Sequence, residues 1–301
     1  MEIIDYSIAH LNPHLALLEN GVEKYGLWLF NLTIGEVIFD LFTNKKRDYQ
    51  QSAANYAINV IQSLIYYLPI ALISDRLLLF ASKFSLIKLE VDWGTTIAAI
   101  FIADFIYYWL HRLEHRSRFF WSSHAVHHSS TDFDLTVTFR LGWVEIIFLY
   151  NLYFVPMVLM GFHPTQTLFA SGFVLTYQLW VHTEKIGKLS ILDRIFNTPA
   201  NHRVHHGSNH QYIDKNYGGI LIIWDRLFGT YEPEKEKVKY GVTENIDTCN
   251  PIVINFIEYQ KIWSYLRSSK TKSEVLKSLF GPPEWKPQAI VDKSSSDRLR
   301  K

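Results

Sequence analysis

Eight of the chain's thirteen histidines fall into three clusters whose spacing restricts how it can fold. They are His111 and His115; His124, His127 and His128; and His202, His205 and His206. The first cluster is spaced i, i+4, and each of the other two i, i+3, i+4. On an α-helix such positions lie on one face. Each cluster can therefore aim two or three imidazoles at one point. Neutral imidazole is a ligand for iron, zinc, copper and nickel. Eight such ligands are too many for one ion and suit two, so the fold expected is one that brings three helical segments together.

A chain of 301 residues makes one large domain or two small ones. A net charge near +1 gives no argument for a nucleic-acid partner. The single cysteine, Cys249, excludes a cysteine-rich zinc site and an internal disulfide. Histidine and carboxylate remain as the plentiful ligand types.

Apolar residues make up 48% of the chain and concentrate in five stretches, residues 26–42, 57–73, 94–110, 143–161 and 165–181. Each is near the lower end of the length that crosses a hydrocarbon core of about 30 Å. Several carry polar residues, among them Glu36, Asp40, Asn59, Gln62, Asp104, Glu145 and Asn151. Within a membrane bundle such groups face protein or a cavity; buried helices of a soluble protein are the alternative. The N-terminal residues include Glu2, Asp5, Glu19 and Glu23 and lack the basic start of a cleaved signal peptide.

Basic residues follow the first stretch (Lys45, Lys46, Arg47), the third (Arg112, Arg116, Arg118) and the fifth (Lys185, Lys188, Arg194). The positive-inside rule puts these ends on the cytoplasmic side. The fourth and fifth stretches are joined on the other side by a tight hairpin at Phe162, His163 and Pro164. All three histidine clusters fall on the basic side. Residues 182–233, punctuated by Pro199, Gly207, Gly218, Gly219 and Gly229, read as a cap of short helices and loops. Residues 234–250 read as a solvated loop. Residues 252–266 read as a helix under the cap or on the membrane surface, and residues 292–301 as a disordered end.

Two histidine-bound divalent ions in a membrane protein point to iron and O2 chemistry, because zinc has no redox change. The chain has no Glu-x-x-His for a carboxylate-bridged iron pair and no His-Glu-x-x-His of a zinc hydrolase. It has no Gly-x-Gly-x-x-Gly and no Gly-x-Ser-x-Gly. Electrons must therefore come from outside. His182, at the end of the fifth stretch, is a further candidate ligand. His163, His10, His14 and His210 are not. Asp104 reads either as an acceptor for a ligand imidazole or as a helix–helix polar contact.

The run His111-Arg112-x-x-His115, then His124-x-x-His127-His128-Ser129-Ser130, then Asn197-Thr198-Pro199-x-x-His202-Arg203-Val204-His205-His206-Gly207 resembles the fatty acid hydroxylase / sterol desaturase superfamily. The resemblance extends from about residue 104 to about residue 232. It implies a membrane-bound, oxygen-dependent diiron enzyme. Residues 214–230 are most similar to the alkylglycerol monooxygenase branch and its bacterial relatives, which implies ether-lipid oxidation with tetrahydrobiopterin as reductant. Arg116 stands where that branch has Glu, and Asn201 where it has His. A reversed charge beside His115 is expected to change substrate or reductant, or else to meet lipid phosphates.

These readings predict an all-α integral membrane bundle of four or five transmembrane helices, with a cytosolic helical cap holding a histidine-rich dimetal site. Residues 1–93 would supply N-terminal membrane helices, 94–233 the catalytic core and 234–301 a C-terminal cytosolic segment. The expected metal ligands are His111, His115, His124, His127, His128, His182, His202, His205 and His206, holding two Fe ions. The expected partners are a lipid from the bilayer, O2 and an external donor of tetrahydrobiopterin, ferredoxin or cytochrome b5 type. The expected membrane is a bacterial inner membrane or the endoplasmic reticulum. The reaction is hydroxylation or desaturation of a lipid C–H bond, alkylglycerol ether cleavage included. A zinc-binding membrane protein without oxygenase activity is the alternative.

Overall fold

Asp92 sets where the central helix begins. Its carboxylate accepts from the Thr95 N–H at 2.7 Å, and Thr95 Oγ1 accepts from the Asp92 N–H at 3.1 Å, a reciprocal cap that satisfies two otherwise orphaned donors. The computed structural model describes residues 13–43, 46–65, 71–144 and 150–292. Their helices are α1 (Pro13–Phe42), α2 (Tyr49–Ile65), α3 (Ala71–Ser82), α4 (Trp93–Arg116), α5 (Arg118–His128), α6 (Val155–Leu159), α7 (Pro164–Tyr177), α8 (Pro199–His205), α9 (Ile223–Phe228), α10 (Pro251–Ser268) and α11 (Lys272–Phe280). No strand occurs among the described residues, where the one β-type pairing is an isolated bridge between Phe196 and Leu221. The all-helical class read from the sequence is the one observed.

Helix α4 is the axis of the molecule. Its small residues Ala99 and Ala103 face Ala170 and Val174 of α7, and Met157 and Phe162 close the same core. Small side chains let two helix backbones approach closely. Ser117, extended at φ −123° and ψ 123°, ends α4, and α5 starts at the next residue. Phe119, Phe120 and Trp121 therefore lie in the first turn of α5. Helix α5 packs on α4 and on α10, which continues onto α2 and α11. The helix expected at residues 252–266 is α10, and it lies under α5 and beside α2.

Among the described residues, α4 is the one helix long and apolar enough to cross a membrane by length and composition. The stretch 26–42 is the second half of α1, and 165–181 is α7 with a 3-10 turn, Gln178–Val181. The stretches 57–73 and 143–161 include residues 66–70 and 145–149, outside the described set. Their described parts are the end of α2, the start of α3, and a 3-10 turn (Tyr150–Phe154) leading into α6. Residues 293–301 of the expected disordered end also lie outside it. Large apolar side chains stand exposed along α1 (Leu27, Trp28, Phe39, Phe42) and on the outer face of α4 (Trp93, Ile97, Phe101).

The polar residues of the first stretch are inside the protein. Arg47 reaches Glu36 and Asp40 at 2.8 Å each and Asp134 at 3.1 Å, while Lys185 reaches Glu36 at 2.6 Å and Asp40 at 2.9 Å. This network fastens α1 to the segment after α5 and to the cap. It also removes Arg47 and Lys185 from the free basic charges counted in the orientation argument.

Candidate metal centre

The nine expected ligand histidines are all buried and form two groups. The first is His111, His115, His124, His128 and His205; the second is His127, His182, His202 and His206. Within each, the ligand nitrogens lie within 4.8 Å of one another. The groups touch where His128 and His206 stack, with centroids 4.3 Å apart and planes at 21°. Local folding explains the convergence. His111 and His115 share the last two turns of α4, and His124, His127 and His128 the end of α5. Pro199 at the first turn of α8 starts a helix just long enough to present His202 and His205, with His206 at its end. His182 follows the 3-10 turn after α7.

The outward nitrogens of these rings decide the inward chemistry. His111 Nδ1 lies 2.8 Å from Tyr217 O, His127 Nδ1 3.3 Å from Arg140 O, His182 Nδ1 2.9 Å from Gln178 O and His205 Nδ1 3.0 Å from Lys215 O. His115 Nδ1 faces the Asp214 carboxylate at 3.6 Å, and His124 Nδ1 faces Glu114 at 3.4 Å. A carbonyl or carboxylate oxygen can only accept, so each of these rings carries its proton on Nδ1 and a bare lone pair on Nε2. His127 and His182 then point lone pairs at each other across 3.1 Å, and His111 and His124 across 2.9 Å. The Nε2 atoms of His115 and His205 are buried with no hydrogen-bond partner.

Protons do not resolve this conflict. Burial pushes His127 down to about 4 and holds His128, His202, His205 and His206 well below the ordinary histidine value, so these rings are neutral near pH 7. Facing lone pairs in a buried site call for a cation. A nitrogen-only, neutral donor set of this size fits two transition-metal ions.

Two buried carboxylates wrap the cap segment against this site. Asp225 accepts from the Tyr217 and Gly218 N–H groups at 2.8 Å each and from Thr230 Oγ1 at 2.6 Å. Asp104 accepts from Ile220 N at 2.6 Å, Leu221 N at 3.0 Å and Trp224 Nε1 at 2.9 Å. Of the two readings open for Asp104, the helix–helix polar contact is the one its bonds fit: it accepts from Trp224 on α9 and from two main-chain N–H groups of the cap, and no imidazole is among these partners. Gly219 lets the cap approach, because a Cβ there would lie 2.8 Å from Asp104 Oδ1 and from Tyr107.

Arg116 does not stand alone beside His115. Its Nη1 lies 3.0 Å from Asp214 Oδ2, and the other Asp214 oxygen faces His115. Asn201 donates to Asp193 O and Phe196 O at 2.9 Å each, a role in the cap backbone. His163 caps α7 and His210 is exposed; His10 and the side chain of His14 lie outside the described set. Sequence reasoning missed Glu114 and Asp214, and the carbonyl acceptors of Arg140, Gln178, Lys215 and Tyr217. The type and position of Glu114, one residue before a ligand, were the available signal.

A cavity of about 470 Å³ opens over the first group and reaches His115, His128, His205 and His206. Its walls carry Arg118, Trp121, Glu244, Glu258, Lys261 and Lys286. Lys261 pairs with Glu258 at 2.7 Å and Lys286 with Glu244 at 2.9 Å. Ile213, Val242, Tyr265 and Pro283 line the same cavity, so its wall is both charged and apolar.

Residues 96–230 match the fatty acid hydroxylase family. Alkylglycerol monooxygenase of Xenopus tropicalis is 41% identical over 212 residues, which are 68% of this chain and 46% of that protein. The Homo sapiens alkylglycerol monooxygenase is 40% identical over 193 residues, 64% of this chain and 43% of that protein. Ornithine lipid hydroxylase OlsE of Rhizobium tropici is 31% identical over 152 residues, 50% of this chain and 46% of that protein. The matched region is thus less than half the length of each of these relatives. No solved structure matches the chain. The matched segment contains all nine clustered histidines, so the part of the chain that builds this centre is a fatty acid hydroxylase domain.

Proposed function

We propose that the chain is a membrane-bound diiron oxygenase that hydroxylates or desaturates a C–H bond of a lipid. His111, His115, His124, His128 and His205 hold one iron, and His127, His182, His202 and His206 the other. The observation that carries this reading is the set of buried, neutral imidazoles whose Nε2 lone pairs face one another. Iron bound there would supply the activation of O2; in hydroxylation, one oxygen enters the C–H bond and the other leaves as water, with two electrons and two protons consumed. The protein's own part is to hold the rings in one tautomer through their Nδ1 contacts and to keep bulk water from the site by burial. Ether cleavage of an alkylglycerol is the hydroxylation of the carbon beside the ether oxygen, and the named relatives make this the first substrate class to test. Electrons come from an external donor, of tetrahydrobiopterin, ferredoxin or cytochrome b5 type.

The exposed apolar faces of α1 and α4 support integration into a bilayer. In this reading four or five helices span it and the histidine groups lie on the cytoplasmic side, in a bacterial inner membrane or the endoplasmic reticulum. Residues 1–93 anchor, 94–233 form the catalytic core, and 234–301 form the C-terminal cytosolic segment. The lipid enters from the bilayer.

The test is metal content together with turnover. Protein made with ample iron should carry about two metals per chain, and oxidise lipid only with O2 and a donor. His127→Ala and His205→Ala should each lose turnover, while His163→Ala keeps it. One metal or fewer per intact chain, or near-normal product from His127→Ala, defeats the assignment. Redox-silent zinc at full occupancy with no oxygen-dependent product favours the zinc-binding alternative.

A further inference from the structure

We propose that Glu114 and Asp214 are positioning residues that make the two histidine groups unequal, giving the five-histidine group the tighter hold on its metal. The inference rests on the reading that both groups bind metal. The two carboxylate contacts to clustered imidazoles among the described residues both fall on the five-histidine group: Glu114 Oε2 at 3.4 Å from His124 Nδ1, and Asp214 Oδ1 at 3.6 Å from His115 Nδ1. A carboxylate behind an imidazole N–H raises the basicity of the opposite nitrogen and fixes the ring for the metal, and losing such a partner costs about 10–100-fold in affinity. The four-histidine group rests on neutral acceptors, Arg140 O behind His127 and Gln178 O behind His182.

The supports also differ in construction. One short segment backs three rings of the five-histidine group: Asp214 behind His115, Lys215 O behind His205 and Tyr217 O behind His111. That segment is itself fixed, with Asp214 and Asn216 both in the left-handed region at φ 61° and 58°. Asn216 holds Asn201 O at 3.0 Å and Glu232 O at 2.8 Å through its side-chain amide. The supports of the four-histidine group come from two separate places, the turn before Arg140 and the end of α7. Loosening one leaves the other in place, but no single element holds them together. The five-histidine group is therefore the more preorganised as well as the more electron-rich.

The experiment loads the purified full chain with Co(II), whose absorption reports its ligands, and withdraws the metal with rising chelator while counting metal per chain. Wild-type protein should release its metals in two steps. In Glu114→Gln and in Asp214→Asn the later, tighter step should move about 10–100-fold toward easier release, with a changed Co(II) spectrum, and the earlier step should stay put. Asn is at home at φ 61°, so Asp214→Asn keeps the backbone. Arg116→Gln, which removes an exposed partner of Asp214 but no carboxylate, should keep the two wild-type steps distinct. Two metals released from the wild type in one step overturn the inference without any variant. So does either carboxylate variant that leaves the tight step unmoved, shifts both steps equally, or shifts the weak one. A wild type that takes up no metal instead overturns the diiron reading on which it rests.

Discussion

Asp104→Asn should loosen the cap at a site far from the substitution in sequence and close to the metal ligands in space. The carboxylate accepts three hydrogen bonds, from Ile220 N at 2.6 Å, Leu221 N at 3.0 Å and Trp224 Nε1 at 2.9 Å, in a position that is 1% exposed. An amide can keep its oxygen toward Leu221 and Trp224, but its NH2 then meets the Ile220 N–H, donor against donor. One bond is lost with a buried donor left unsatisfied, about 1–3 kcal/mol, and the two survivors fall from charge-assisted to neutral strength, together about another 2 kcal/mol. A local loss of about 3–5 kcal/mol is about two to four orders of magnitude in the opening equilibrium of the segment. Hydrogen exchange read by mass spectrometry on the peptide covering residues 217–224 is the assay, with α7 as an internal reference. The same segment carries Tyr217 O, which accepts from His111 Nδ1 at 2.8 Å, so metal retention should fall with it. Wild-type exchange across residues 217–224 in the variant would refute the claim that Asp104 ties the cap to α4. Faster exchange with full metal retention would refute only the coupling to His111.

Two further outcomes follow from the same geometry. Gly219→Ala would put a methyl 2.8 Å from Asp104 Oδ1, Tyr107 Cδ1 and Val174 Cγ1, and the forced shift should cost about 1–3 kcal/mol. A lowered melting temperature checks it, against Gly172→Ala, whose added methyl meets nothing within 4 Å. The metal-free protein should also lose stability in acid. Burial holds His127 at about 4 against an ordinary 6.5, so above about pH 6.5 the ring is neutral in both folded and unfolded chains and adds no pH dependence. As pH falls below that, the unfolded chain takes up the proton and the folded chain does not, which lowers stability by about 3 kcal/mol by the time pH reaches about 4. A melting temperature of the metal-free protein that stays flat over this window would count against a buried neutral His127.

The histidine clusters were legible because their order is local. Positions i, i+3 and i+4 share a face in any helix, and the ends of α4, α5 and α8 needed only to meet. His182 has no partner spacing, and its place follows from a turn: Gln178, four residues earlier, offers the carbonyl that accepts from its Nδ1 at 2.9 Å. That the break falls at Ser117 was not legible, since the residues on both sides of it are compatible with helix. Hydropathy marked apolar stretches, yet it could not tell where a helix stays continuous.

What stayed hidden is what holds the rings from behind. Tyr217, Lys215, Arg140 and Gln178 act through carbonyl oxygens, and every residue has one, so no side-chain pattern announces them. Asp104 shows the same limit from the other side. Its type and burial were readable, and a buried carboxylate must find donors. The donors come from residues more than a hundred positions away, brought to one spot by a turn that Gly218, Gly219 and Asp225 make. The clusters fix which atoms can bind metal. Carbonyls and carboxylates placed only by tertiary folding, those of the cap behind His111, His115 and His205 among them, fix which nitrogen of these rings is left to do so.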